Sequence, residues 1–240
     1  MIKAFIGVVA VLALSAAVVV AEQKSQAAGA DNTPPAGFTA LFNGKDLTGW
    51  KGLPVKEGLD NPLKRAAADP DALKKAQAAA DERMRQHWKV EDGVIVFDGK
   101  GESLATLRED FGDFELMVDW RILPKGDSGI YLRGSPQVQI WDTNNEPRAA
   151  KGSGGLFNNQ KNPADPVAKA DKPVGEWNTF WIKMVGDKVW VKLNDQLVVD
   201  GVVLENYWDR NQPIFPTGDI QLQNHGNTLW FKNVYVKELK

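Results

Sequence analysis

From Gly93 to the C-terminus, apolar and polar side chains alternate in short runs, and this two-residue period limits the folds open to the chain. In a strand, alternate residues share a face. Candidate strands span 93–99, 103–109, 113–123, 129–134, 137–142, 178–186, 188–194, 196–201, 219–225 and 228–239. Gly186-Asp187 and Asn194-Asp195 read as hairpin turns. Many closely spaced strands with one helix predict an all-β sandwich or jelly roll. That helix is expected over roughly 70–87. Asp69-Pro70 reads as N-cap and first helical residue, and Leu73, Ala76, Ala80 and Met84 follow at helical spacing. Its weak apolar stripe suits the surface of a larger body, while residues 52–68 read as irregular.

Two segments carry a polar face where a core would need apolar side chains. In GDSGIYLRGSPQVQIWD (126–142), one parity holds Tyr131 and Arg133, then Gln137, Gln139 and Trp141. The other parity holds Ile130, Leu132, Val138 and Ile140. In GDIQLQNHG, Gln221, Gln223 and His225 alternate with Ile220 and Leu222. Amides and a guanidinium bond hydroxyl groups, and aromatic rings stack on the C–H faces of sugars. The face therefore suits a carbohydrate ligand. Nine tryptophans fit a β core with two or three left for a cleft.

The formal net charge of -2 gives no reason to expect nucleic acid or an anionic membrane as partner. Lys3 followed by the apolar or small residues 4–21 reads as a secretory signal ending at Ala21. The expected location is periplasmic or secreted, with no membrane contact beyond the export signal. If uncleaved, the same run would serve as an anchor. The chain has no cysteine, which excludes disulfides and thiol catalysis. Residues 22–36 read as a linker and 37–240 as the domain. The Gly- and Pro-containing stretch 143–176 reads as a long loop rimming a cleft. No G-x-G-x-x-G fingerprint is present, so no nucleotide cofactor is expected.

GFTALFNGKDLTGW, GDSGIYLRG, QVQIWD, GEWNTFWIKMVGDKVWVKLND, LENYWDR and IQLQNHG with TLWFKNVYV occur in this order over residues 37–239. This series resembles the DUF1080 family, described as 3-keto-α-glucoside 1,2-lyase/3-keto-2-hydroxyglucal hydratase or 3-keto-disaccharide hydrolase. The resemblance implies a concanavalin A-like jelly roll of two curved antiparallel sheets, with the ligand on the concave face. It also implies export. Residues 60–87 look like an insertion found in part of the family. Many members carry Glu where this chain has Gln137, which leaves the acid/base set one carboxylate short.

The implied chemistry starts from a 3-keto sugar, whose carbonyl acidifies the C2 proton. A base removes that proton, the C1 substituent leaves, and water adds. This needs a base, an enolate stabiliser and a leaving-group acid. His225 is the first candidate for base or metal ligand, since imidazole titrates near neutrality. Arg133 is the candidate clamp for enolate or hydroxyl, or else a surface ion pair. Asp119 alternates with the apolar parity of DFELMVDWRIL, and the family pattern has an acid there. It faces the cleft if its strand lies in the concave sheet and solvent otherwise; the acid in the family pattern favours the cleft, where Asp119 is expected to be catalytic. Gln137, Gln139, Gln221 and Gln223 are expected to orient hydroxyls. Tyr131 and Trp141 are expected to stack on the sugar, although Trp141 suits packing under the loop equally well. Asp127 either caps a Ser-Gly turn or meets the ligand.

Oxygen donors with one histidine would suit calcium, manganese or magnesium, although no dense ligand motif appears. A separate oxidoreductase would have to supply the keto sugar. Two other readings stay open. A lectin-like module could use the same face without catalysis. A retaining glycosidase would need two carboxylates about 5 Å apart, whereas Glu115 and Asp119 stand roughly 13 Å apart along a strand.

Overall fold

A computed structural model of the protein describes residues 31–145 and 147–240. The expected signal segment 1–21 lies outside the described residues. Two antiparallel sheets enclose one apolar core. The larger holds β1 (Thr39–Ala40), β3 (Trp88–Glu91), β4 (Val94–Asp98), β6 (Phe114–Ile122), β9 (Asn178–Val185), β10 (Lys188–Leu193), β11 (Gln196–Val203) and β13 (Thr228–Glu238). Its order is β11-β10-β9-β6-β13-β4-β3, with β1 also paired to β13. The smaller sheet holds β2 (Trp50–Gly52), β5 (Leu104–Thr106), β7 (Asp127–Leu132), β8 (Ser135–Trp141) and β12 (Ile220–Leu222), ordered β2-β5-β12-β7-β8.

The two-residue period builds this sandwich directly. In β6, Phe114, Leu116, Val118, Trp120 and Ile122 are buried in the core while the intervening residues are half-exposed. Ile130, Leu132, Val138, Ile140, Ile220 and Leu222 meet them from the smaller sheet. Their polar neighbours therefore point away from the core. At the β10–β11 hairpin, Asn194 and Asp195 take φ of 50° and 68°, the left-handed geometry of a type I′ turn.

The helical insertion is richer than expected. Helix α2 (Pro70–His87) starts where Asp69 accepts from the N–H groups of Asp71 and Ala72, as the N-cap reading required. It turns Ala76, Ala80 and Met84 inward. Before it, the segment read as irregular contains β2 and a short helix α1 (Pro62–Ala67), capped by Asn61. These elements are too short to show a period. Helix α2 covers the free edge of β2. Gly52 N donates to Asp81 Oδ1 (2.9 Å), and Gln77 Nε2 donates to Gly52 O (2.8 Å). A Cβ on Gly52 would lie 2.3 Å from the Ala80 carbonyl oxygen, so this approach requires glycine. The helix leads straight into β3, joining the outer strand of one sheet to that of the other and protecting an edge.

Two expectations about connecting segments change. Asp31 and Asn32, placed in the linker, are docked on the larger sheet. Asp31 pairs with Lys232 (2.6 Å), and Asn32 N donates to Asn233 Oδ1 (2.6 Å). The folded unit therefore includes residues before Gly37. The 143–176 segment runs beside β8 and extends its sheet edge: Gln139 N donates to Gly155 O (2.9 Å), and Gly154 N to Gln139 O (2.8 Å).

Candidate functional site

The outward face of β7, β8 and β12 brings most of the predicted polar residues together. Register pairs Tyr131 with Gln221 and Gly129 with Gln139, and Gln223 N donates to Gly129 O (2.9 Å). A polar run crosses the face. Gln137 Nε2 donates to Gln139 Oε1, and Gln139 Nε2 donates to Asp127 Oδ1 (2.8 Å). Asp127 Oδ2 lies 3.8 Å from His225 Nδ1. Beside this run, Gln223 Nε2 donates to the Tyr131 hydroxyl (3.2 Å). Gly129 gives Gln137 its space, because a Cβ there would lie 2.8 Å from Gln137 Cδ.

Tyr131, Gln223 and Asn224 form one wall of a cavity of about 140 Å³, which Ser103, Gly101, Leu53, Val55 and Asp60 complete. Burial pushes the Tyr131 phenol well above its ordinary range, so it remains an O–H donor. Gln221 Oε1 and Gln223 Oε1 are buried acceptors with no protein partner. Of the two residues, Gln223 lines the cavity and Gln221 is buried behind it. His225 follows Asn224 at the end of this wall, with its side chain 58% exposed and accessible to a bound molecule.

Three predicted site residues lie elsewhere in the fold. Arg133 leaves the strand at the β7–β8 turn with φ of 53°, and its side chain is buried. Its guanidinium donates to the carbonyls of Gly112, Gly186 and Phe215 and to Asp113 Oδ1 (2.7 Å). These bonds hold loops together, so the predicted clamp role is replaced by a structural one. Asp119 lies on β6, in the other sheet, and faces outward. Its carboxylate accepts from Thr179 Oγ1 (2.6 Å) and Asn233 Nδ2 (2.7 Å). Packed sheets stand about 10 Å apart, so Asp119 is at least that far from the Tyr131 face and outside its site. Trp141 donates through Nε1 to Gly152 O (2.9 Å) and meets the Phe157 ring edge-on. The loop-packing alternative therefore holds for it.

None of the nine tryptophans lines the cavity. Three sit on the larger sheet and Trp177 just before β9, all beside cations: Arg121 with Trp177 and Trp230, Lys192 with Trp181, and Lys183 with Trp190. Cross-strand packing accounts for these rings. Sequence reasoning missed Asp60, Leu53, Val55 and Ser103 as wall residues. Asp60 lies in the segment without a period, so alternation gave no signal for it. Among the described residues, no group of three or more His, Asp and Glu side chains is placed to hold a metal ion.

Comparison with known proteins adds an independent line. Residues 37–237 match the model of the 3-keto-alpha-glucoside-1,2-lyase-like domain. A Bacteroides thetaiotaomicron protein named 3-keto-disaccharide hydrolase is 24% identical over 257 residues, covering 85% of this chain and 79% of that protein. A crystal structure from Parabacteroides distasonis, provisionally described as a glycosyl hydrolase, superimposes with a TM-score of 0.63 at 25% identity. It covers 88% of this chain and 100% of its own. A second from the same organism, described likewise, gives 0.62 at 25% identity, covering 85% of each chain.

Proposed function

The chain belongs to the 3-keto-alpha-glucoside-1,2-lyase-like family, and on that premise we propose that it is an exported enzyme acting on 3-keto-glycosides. The observation that supports this most is the Gln137–Gln139–Asp127–His225 run beside a cavity walled by Tyr131, Gln223 and Asn224. His225 removes the C2 proton, made acidic by the C3 carbonyl. The electron pair moves into the enolate, whose oxygen accepts from the Tyr131 hydroxyl. Asp127, 3.8 Å from the ring, stabilises the imidazolium by its charge as it forms. The enolate collapses, the C1–O bond breaks, and the imidazolium returns its proton to the leaving oxygen. Addition of water to the enone then gives the free 3-keto sugar. A separate oxidoreductase must supply the substrate, since this sequence introduces no ketone.

The test incubates the purified chain with methyl 3-keto-α-glucoside and with methyl α-glucoside, with and without chelator. Turnover of the keto form alone is expected, with loss of about 100-fold or more in His225→Ala, as removal of a general base implies. Loss on chelation would assign a divalent ion to the reaction. Turnover of the parent glucoside would sink the elimination route. Saccharide binding without turnover would instead support a lectin-like module, which the amide-rich face alone suffices to build.

A further inference from the structure

We propose that Asp60, carried by the helical insertion, is a ligand-contacting carboxylate of the cavity, and that Arg65 positions it. The proposal rests on the reading that this cavity receives a sugar. Asp60 is half-buried and shares the cavity wall with Tyr131 and Gln223, although it enters from a loop rather than from the sheet. The loop is tied down by one side chain. Arg65, on α1, donates through Nη1 to the carbonyls of Asp60 (2.9 Å) and Leu59 (3.2 Å). Through Nη2 it binds Asp219 Oδ2 (2.9 Å).

Asp219 is the anchor on the sheet side. Its side chain is fully buried, and its Oδ1 accepts from Gln221 Nε2 (2.8 Å). A buried carboxylate facing a single guanidinium is costly to leave unpaired, so the contact fixes Arg65 firmly. Pro62 packs closely on Gly134, where a Cβ would lie 2.9 Å from Pro62 Cγ. The chain Asp60–Arg65–Asp219–Gln221 thus couples the insertion to β12, the strand that leads into Gln223.

The donor and acceptor pattern identifies the ligand's matching edge. Asp60 offers carboxylate oxygens to the cavity, and these demand donors. A neutral ring with adjacent hydroxyls satisfies them, because a carboxylate accepts from two neighbouring O–H groups. A carbonyl or carboxylate on the ligand would be repelled there. The oxidised carbon of a keto sugar therefore points away from Asp60, towards the Tyr131 hydroxyl.

The test measures affinity of the full chain for methyl α-glucoside by calorimetry, and KM and kcat on methyl 3-keto-α-glucoside. Asp60→Ala is expected to weaken binding roughly 10- to 100-fold, the range of a charge-assisted hydrogen bond, with an unchanged Tm. Asp60→Asn keeps the shape and one acceptor and should fall between. Arg65→Ala should raise KM about tenfold with kcat within about twofold, and Arg65→Lys should restore most of it. If Arg65→Ala fails to fold, the Asp60 pair decides. Wild-type affinity in both Asp60 variants overturns the proposal while leaving the enzymatic reading intact. Wild-type binding without turnover removes the enzymatic reading, and the Asp60 affinities still decide the contact. A wild type that neither binds nor turns over sugar overturns both.

Discussion

At residue scale, Arg133 and Tyr131 show how two neighbours on one parity acquire different tasks. Tyr131 stays in the strand and faces the cavity, whereas Arg133 turns at positive φ and binds three carbonyls and Asp113. Burial lowers its pKa, and the Asp113 carboxylate opposes that shift. Arg133→Met removes the charge and leaves buried carbonyls without a donor. The expected loss of stability is about 3 kcal/mol, read from denaturant unfolding. Sugar affinity of the fraction that remains folded should be unchanged. A variant of normal stability with lost affinity would return Arg133 to the site. Alternation identified Tyr131, Gln139, Gln221 and Gln223 as sharing a face. It could not register the turn at Arg133, because parity carries no information about backbone handedness.

At element scale, the polar face depends on a close approach of Gln137 to Gly129 between β7 and β8. Gly129 sits opposite Gln139, and Gln137 lies across it. Gly129→Ala places a methyl 2.8 Å from Gln137 Cδ, so the amide must swing away. That breaks the Gln137–Gln139 bond, while Gln139–Asp127 and the core side of β7 stay in place. Sugar affinity should fall about tenfold, the effect of one or two lost polar contacts, with stability changed by less than ~1 kcal/mol. Unaltered affinity would show that Gln137 plays no part in the site. The same scale explains the misplacement of Asp119. Its outward parity was legible from the apolar residues of β6, but its sheet was not. Which strands pair is a long-range outcome of topology, and here β6 lies between β9 and β13. The reverse held for α2, whose Asp69-Pro70 start is a local signal and was legible in sequence.

At the scale of the whole molecule, one carboxylate fastens the middle of the long loop, whose flanks are bonded to β8 and β11. Glu205, just after β11, accepts from the N–H groups of Gln160 (3.0 Å), Lys161 (2.7 Å) and Asn162 (2.8 Å). Burial alone would raise its pKa, but these backbone donors more than offset that and hold it at about 2. A depressed carboxylate contributes its full stabilisation above its unfolded pKa, near 4.3, and loses it as pH falls towards about 2. The loop should therefore loosen across that acid window, with roughly 2–3 kcal/mol lost in total. Glu205→Gln carries no charge to titrate. It should be less stable at neutral pH by a similar amount and show a flatter stability profile between pH 4.3 and 2. Hydrogen exchange at Gln160–Asn162 reads the event directly, since those amides are held by the carboxylate and not by a strand partner. Equal acid profiles for the two proteins would show that the loop is held by its contacts along β8 instead. The distinction bears on the site, because the same loop lies against Gln139 and extends the edge from which the polar run towards His225 begins.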